Sequence, residues 1–104
     1  MTEERRKVAR VPMSLEAQWR GITGHGTGWI SNLSPVGCFL ETSGQALNRE
    51  VIDVEIIKLD GGWLTLQGQI IYRISESGFG IFFVEMNEQA HRSIADLVEQ
   101  AAMD

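Results

Sequence analysis

Val11, Met13, Leu15, Ala17 and Trp19 are apolar at every second position, with Ser14, Glu16, Gln18 and Arg20 between them. Successive side chains of an extended chain point to opposite faces, so this alternation predicts a strand buried on one side. Residues 21–28 contain Gly21, Gly24, Gly26 and Gly28 and predict a turn; Trp29 to Leu33 is then extended. Turn-formers follow at residues 32–37, Cys38 to Thr42 resumes as a strand, and Ser43-Gly44 closes it. Ile52, Val54 and Ile56 alternate with Asp53 and Glu55 up to Asp60-Gly61-Gly62, a tight connection of the hairpin kind. A long strand comes next, with Leu64, Leu66, Gly68, Ile70 and Tyr72 on one face, and Gly68 marks a bulge or sharp bend within it. Phe79 to Val84 forms the last strand, expected to be buried largely on both faces.

After Asn87, a plausible N-cap by chemistry, the period changes. Ala90, Ile94, Leu97, Val98 and Ala101 fall on one helical stripe opposite Glu88, Arg92, Asp96 and Glu99. The expected fold is therefore all-β with one C-terminal helix. Six short antiparallel strands that share an apolar face bury it and lose their exposed edges most economically as a closed barrel. A length of 104 residues with 43% hydrophobic positions supports one core. It excludes a (β/α)8 barrel, and eleven glycines weigh against a helical bundle.

Charge divides the chain unevenly. Arg5, Arg6, Lys7 and Arg10 against Glu3 and Glu4 leave residues 1–10 at +2, so the other 94 residues carry −7 of the total −5. The expected organisation is a flexible basic arm over residues 1–12 and a barrel with its helix over residues 13–104. An acidic body argues against general nucleic-acid binding, which needs a broad basic face. A single cysteine, no leader-like segment and no apolar run near 20 residues lead to the expectation of a cytoplasmic protein without membrane insertion.

Little in the chain suits catalysis or metal binding. His25 and His91 are not at ligand spacing from each other or from Cys38, and Cys38 has no neighbouring base. Gly24-His25-Gly26-Thr27-Gly28 leads into a strand rather than a helix, so it is read as a turn and not a phosphate loop. Asn32-Leu33-Ser34 matches a glycosylation triplet but is followed by Pro35 and preceded by no secretion signal. No enzyme activity, cofactor or metal is expected.

Two motifs remain. Arg6 and Arg10 form an Arg-x-x-x-Arg spacing just before the first strand, and Asn32, Ser34 and Gly37 form Asn-x-Ser-x-x-Gly between the second and third. The pair, in this order and on either side of the first two strands, resembles the PilZ domain family of bacterial cyclic di-GMP receptors. The likeness extends from Arg5 to about Val98, through Gly37-Cys38-Phe39-Leu40-Glu41-Thr42, Gly68-Gln69-Ile70-Ile71 and Gly78-Phe79-Gly80-Ile81-Phe82-Phe83. It implies the barrel-plus-helix fold that alternation predicts independently.

The resemblance also implies a ligand and its site. Cyclic di-GMP has two phosphodiester charges and two guanines, and the planar guanidinium of arginine can fork onto phosphate or onto the guanine O6/N7 edge. Arg6 and Arg10 are the expected cations. Asn32 is expected at a guanine edge and Ser34 at a guanine or phosphate; Gly37 would supply a positive φ or a close backbone approach. Arg5 is either an extra guanidinium for a second ligand molecule or a solubilising charge. Tyr72 and Trp29 are candidate stacking residues, with core filling as the competing role. The implied protein is a stand-alone receptor that orders its arm on binding and signals through a changed surface to an unidentified effector protein, in motility, biofilm polymer synthesis or gene control. The alternatives are a non-binding PilZ-fold adaptor and a small barrel that binds single-stranded nucleic acid.

Overall fold

A computed structural model describes residues 14–58 and 60–102. The expected arm, with Arg5, Arg6 and Arg10, lies outside the described residues. The elements are β1 (Leu15–Arg20), β2 (His25–Ser31), β3 (Gly37–Glu41), β4 (Val51–Ile57), β5 (Trp63–Ile74), β6 (Gly78–Val84) and α1 (Glu88–Ala102). The strands close into a barrel in the order β1-β2-β3-β6-β5-β4, and every neighbouring pair is antiparallel.

Alternation explains the walls. Leu15, Ala17 and Trp19 of β1, Ile52, Val54 and Ile56 of β4, and Leu64, Leu66 and Ile70 of β5 all point inward and are buried. In β6, Phe79, Ile81 and Phe83 are buried in the core and Gly78 and Gly80 are buried on the outer face, so the strand is covered largely on both sides, with Phe82 exposed at 48%. Asn87 caps α1 as expected, its Oδ1 accepting from the Ala90 amide at 2.7 Å. Ile94, Leu97 and Val98 then bury the apolar stripe of the helix against the core.

Two expectations need correction. The glycine-rich stretch is not a turn: β2 begins at His25, so Gly26 and Gly28 are strand residues, and the turn is confined to residues 21–24. The reason is Trp19, which is paired with Gly26 in register. A Cβ at Gly26 would sit 3.0 Å from the indole Nε1, and one at Gly44 would press on the same ring. The glycines leave room for an indole that donates to Thr42 Oγ1 at 3.1 Å and meets Phe79 edge-on at 5.3 Å.

The second correction concerns β5. The irregularity lies at Ile71, between the pairs Ile70–Ile81 and Tyr72–Gly80, and not at Gly68. Gly68 keeps regular register, and a Cβ there would collide with the Ile81 side chain. One extra residue reverses the facing of the strand beyond it. Tyr72 therefore leaves the inward set and stands on the outer surface, 44% exposed.

At one rim of the barrel, Glu50 joins the β1–β2 turn to the β3–β4 connection. Its carboxylate accepts from the Thr23 hydroxyl at 2.6 Å, the Leu47 amide at 2.9 Å and the Thr23 amide at 3.1 Å. These bonds, the hydroxyl's first among them, hold its pKa well below the ordinary carboxylate value, at about 2.

Candidate functional site

The turn between β2 and β3 is built around Ser34, which is fully buried. Its hydroxyl accepts from the amides of Val36 and Gly37 and donates to the Gly37 carbonyl, each at 3.2 Å. The Ser34 amide closes the turn onto the Gly37 carbonyl at 2.9 Å. Leu33 is buried beside it, and the Val36 carbonyl accepts from Phe83 of β6 at 2.8 Å, so the turn is anchored to the barrel on both sides. The hydroxyl expected to face a ligand thus shapes the turn from within.

The positive φ is at Asn32 (54°), a residue type that tolerates the left-handed region, and not at Gly37. Gly37 provides a close approach, but to the protein itself: a Cβ there would run into the Ile81 carbonyl. Asn32 is exposed at the end of β2 with its side chain free of any described hydrogen-bond partner. Of the three turn residues it is the one presented to solvent.

Register extends the site from this turn across the outer wall. Ser31, Phe39, Gly80 and Tyr72 lie in one row over β2, β3, β6 and β5. The Tyr72 ring covers Gly80, where a Cβ would overlap it, and stacks with Phe39 at 6.3 Å between centroids and 27° between planes. The next row holds Trp29, Glu41, Gly78 and Ile74. Trp29 and Ile74 are about half exposed, at 50% and 51%. An open trough of about 560 Å³ runs here, lined by Phe39, Glu41, Ile74, Glu76 and Ser77.

This wall offers flat aromatic surface between Asn32 at one end and the carboxylates of Glu41 and Glu76 at the other, which suits a planar base more than a reacting centre. Both candidate stacking residues, Trp29 and Tyr72, are on it. Among the described residues no cation lines the trough. Nearby Arg73 is already used, its Nη1 donating to the Ala46 carbonyl at 2.8 Å. Among the described residues no group of His, Cys, Asp or Glu side chains is arranged to hold a metal ion, and no helix is long and apolar enough to cross a membrane.

Phe39, Gly80, Glu41 and Phe82 were not singled out from the sequence. Phe39 and Gly80 lie in runs that carry the family likeness, but their meeting under Tyr72 depends on strand pairing, which no local pattern reports.

The comparisons agree with this architecture. No curated protein matches the chain. Among solved structures, the PilZ domain of CeSA from a cellulose-synthesizing bacterium superposes with a TM-score of 0.72 at 23% identity, over 88% of this chain and 95% of that one. The PilZ domain of Escherichia coli YcgR, with c-di-GMP, gives 0.78 at 15% identity, over 95% of this chain and 92% of that one. Bacillus subtilis MotI/DgrA, an inhibitor of motility, gives 0.72 at 14% identity, and there the match covers 95% of this chain but only 50% of the other. The model of the PilZ domain family matches residues 4–100, nearly the whole length. With both motifs, the closed six-stranded barrel and the terminal helix in place, this chain belongs to the PilZ domain family, a family of cyclic di-GMP receptors.

Proposed function

We propose that this chain binds cyclic di-GMP on the outer wall of β2, β3, β6 and β5, with cations supplied by Arg6 and Arg10. The observation that carries this reading is the adjacency of the Asn32 turn and an exposed aromatic row on one face. Asn32 meets a guanine edge through its amide, and Tyr72 or Trp29 offers a guanine a flat partner. Ser34 and Gly37 act by holding the turn's shape. The phosphates need charge that the described wall lacks, and Arg10 is five residues before Leu15, a reach of about 17 Å for extended chain. The turn is within that reach, because Leu15 pairs with Ile30 on the strand that leads into Asn32.

Ligand binding then orders the arm around itself, and the product of binding is a changed surface that an effector protein reads. The YcgR domain, which holds c-di-GMP on the same fold, supports the ligand. MotI, an inhibitor of motility, and CeSA, from a cellulose-synthesizing bacterium, support motility or polymer synthesis as outputs. Arg5 adds a guanidinium for a second, stacked ligand molecule, whose phosphates would bring the local negative charge to four.

Calorimetric titration of the chain with cyclic di-GMP, with GTP as control, tests the proposal. Selective binding is expected. Arg6→Ala and Arg10→Ala should each cost about 1.5 to 3 kcal/mol, roughly 10- to 150-fold in affinity. Two ligands per chain, falling to one in Arg5→Ala, is the expected stoichiometry. Unchanged affinity in both of the first two variants would refute the assignment.

A further inference from the structure

The trough beside the aromatic row has the wrong charge for a phosphate ligand. Glu41 and Glu76 are on its lining, and Glu16 stands two strands from Glu41 in the same row, with Trp29 between them. Glu16, Glu41 and Glu76 are exposed, and none of them pairs with a lysine or arginine among the described residues. Phe39 and Ile74 add an apolar floor, so the trough suits a cationic segment with some apolar character.

Such a segment is at hand in the same chain. Residues 5–10 read Arg-Arg-Lys-Val-Ala-Arg, four cations around two apolar residues. The described chain begins at Ser14, next to β1, and β3 is two strands away. At about 4.8 Å per strand, Glu41 is roughly 10 Å across the sheet from Leu15. Arg10 could span that distance with about 17 Å of chain, and Arg6, nine residues from Leu15, could reach about 30 Å, enough for Glu76 in the β5–β6 turn. Exposed ion pairs are individually weak, but a tether of this length holds the partner at an effective concentration in the millimolar range. A basic segment from another protein has no such advantage.

We infer that in the ligand-free protein the basic segment at residues 5–10 docks in the trough against Glu41 and Glu76 and over Trp29, so that an anionic ligand must win its arginines from the barrel's own carboxylates. Glu41 and Glu76 thereby set the affinity of the site downward, by competing for the cations and by repelling the phosphates. The ligand part of this inference rests on the proposed function. The docking itself does not, because it is a property of the free chain.

The free chain also provides the test. Trp19 is buried, whereas Trp29 and Trp63 are half exposed and Trp63 is at the far end of β5, so a Trp63→Phe background leaves Trp29 as the exposed fluorophore. Acrylamide, a neutral quencher, should quench Trp29 two- to threefold less at low ionic strength than in 0.5 M salt, since screening at about 3 to 4 Å releases the docked arginines. In Glu41→Gln/Glu76→Gln, and separately in Arg6→Gln/Arg10→Gln, that salt dependence should vanish. Salt-independent quenching in the parent, or unchanged salt dependence in either variant, overturns the docking; a dependence on protein concentration would assign the occupant to a second copy and overturn it equally. Glu41→Gln/Glu76→Gln should also bind cyclic di-GMP three- to tenfold more tightly, and equal affinity would overturn the competition. Absence of any ligand binding, with the quenching result intact, would instead refute the proposed function alone.

Discussion

The barrel has two outer walls made from the same kind of strand, and they differ in what they offer. Over β1, β4 and the first half of β5, the middle of the wall presents Gln18, Arg20, Asp53, Glu55, Thr65 and Gln67 in the rows Gln18–Glu55–Thr65 and Arg20–Asp53–Gln67, with Val51 and Trp63 exposed at its ends. A depression of about 300 Å³ lies there too, and Gln67 donates to Asp53 across it at 3.3 Å. Over β2, β3, β6 and the second half of β5, the outward residues include Trp29, Phe39, Tyr72, Ile74 and Phe82. Four exposed or half-buried rings gather on this wall against the single ring of Trp63 on the other, and clustered exposed apolar surface marks an interaction site. Concavity is common to both walls; the difference between them is chemistry, and the bulge at Ile71 is where β5 passes from one to the other.

Removing a ring from one wall and a polar group from the other separates the two surfaces. Tyr72→Ala is expected to cost about 1 to 3 kcal/mol of ligand binding, up to roughly 150-fold, as base–aromatic stacking does elsewhere. Thr65→Ala on the polar wall should leave affinity unchanged within twofold. Equal effects from the two, measured by calorimetry, would erase the distinction.

Ser34→Ala separates shape from contact. The change leaves the buried amide of Gly37 and the part-buried amide of Val36 without the hydroxyl they donate to, which predicts a loss of about 1 to 3 kcal/mol in stability. Chemical denaturation measures that loss, and binding should fall with it. Asn32→Ala, at an exposed position, should weaken binding with little change in the denaturation midpoint. The reverse pattern would mean that Ser34, and not Asn32, meets the ligand.

A smaller effect is expected at the rim, away from both walls. Glu50 has its folded pKa depressed to about 2 by hydrogen bonds from Thr23 and Leu47, against an ordinary value of 4.5. A depressed carboxylate stabilises the fold above its unfolded pKa, and that contribution is lost as pH falls from about 4.5 through 2. Thermal melts of Glu50→Gln should therefore decline less steeply over this window than those of the parent chain. Parallel declines would show that the latch does not contribute.

Much of this fold could be read locally. The alternation in β1 and β4 and the stripe of Ile94, Leu97 and Val98 each reflect a single element facing a single core. Glycine was less legible because it has several uses. Gly26 and Gly44 make space for Trp19, Gly68 for Ile81 and Gly80 for Tyr72, and each depends on a residue brought close by strand pairing rather than by turn chemistry. The same limit hid the site. Asn32, Ser34 and Gly37 stood out as a motif, yet which of them faces outward follows from the hydrogen bonds around Ser34 Oγ. Phe39 came to Tyr72 through β6, a strand that starts at Gly78, far along the chain from β3's start at Gly37, where no window along the sequence sees both.

If one wall of the barrel is the receptor surface, an amide chemical-shift titration of the whole chain with cyclic di-GMP should give saturable shifts concentrated at Trp29, Asn32, Phe39, Tyr72 and Gly80, with Gln18, Asp53 and Thr65 stationary. Shifts centred on the polar wall, or no saturable shifts at all, would contradict it.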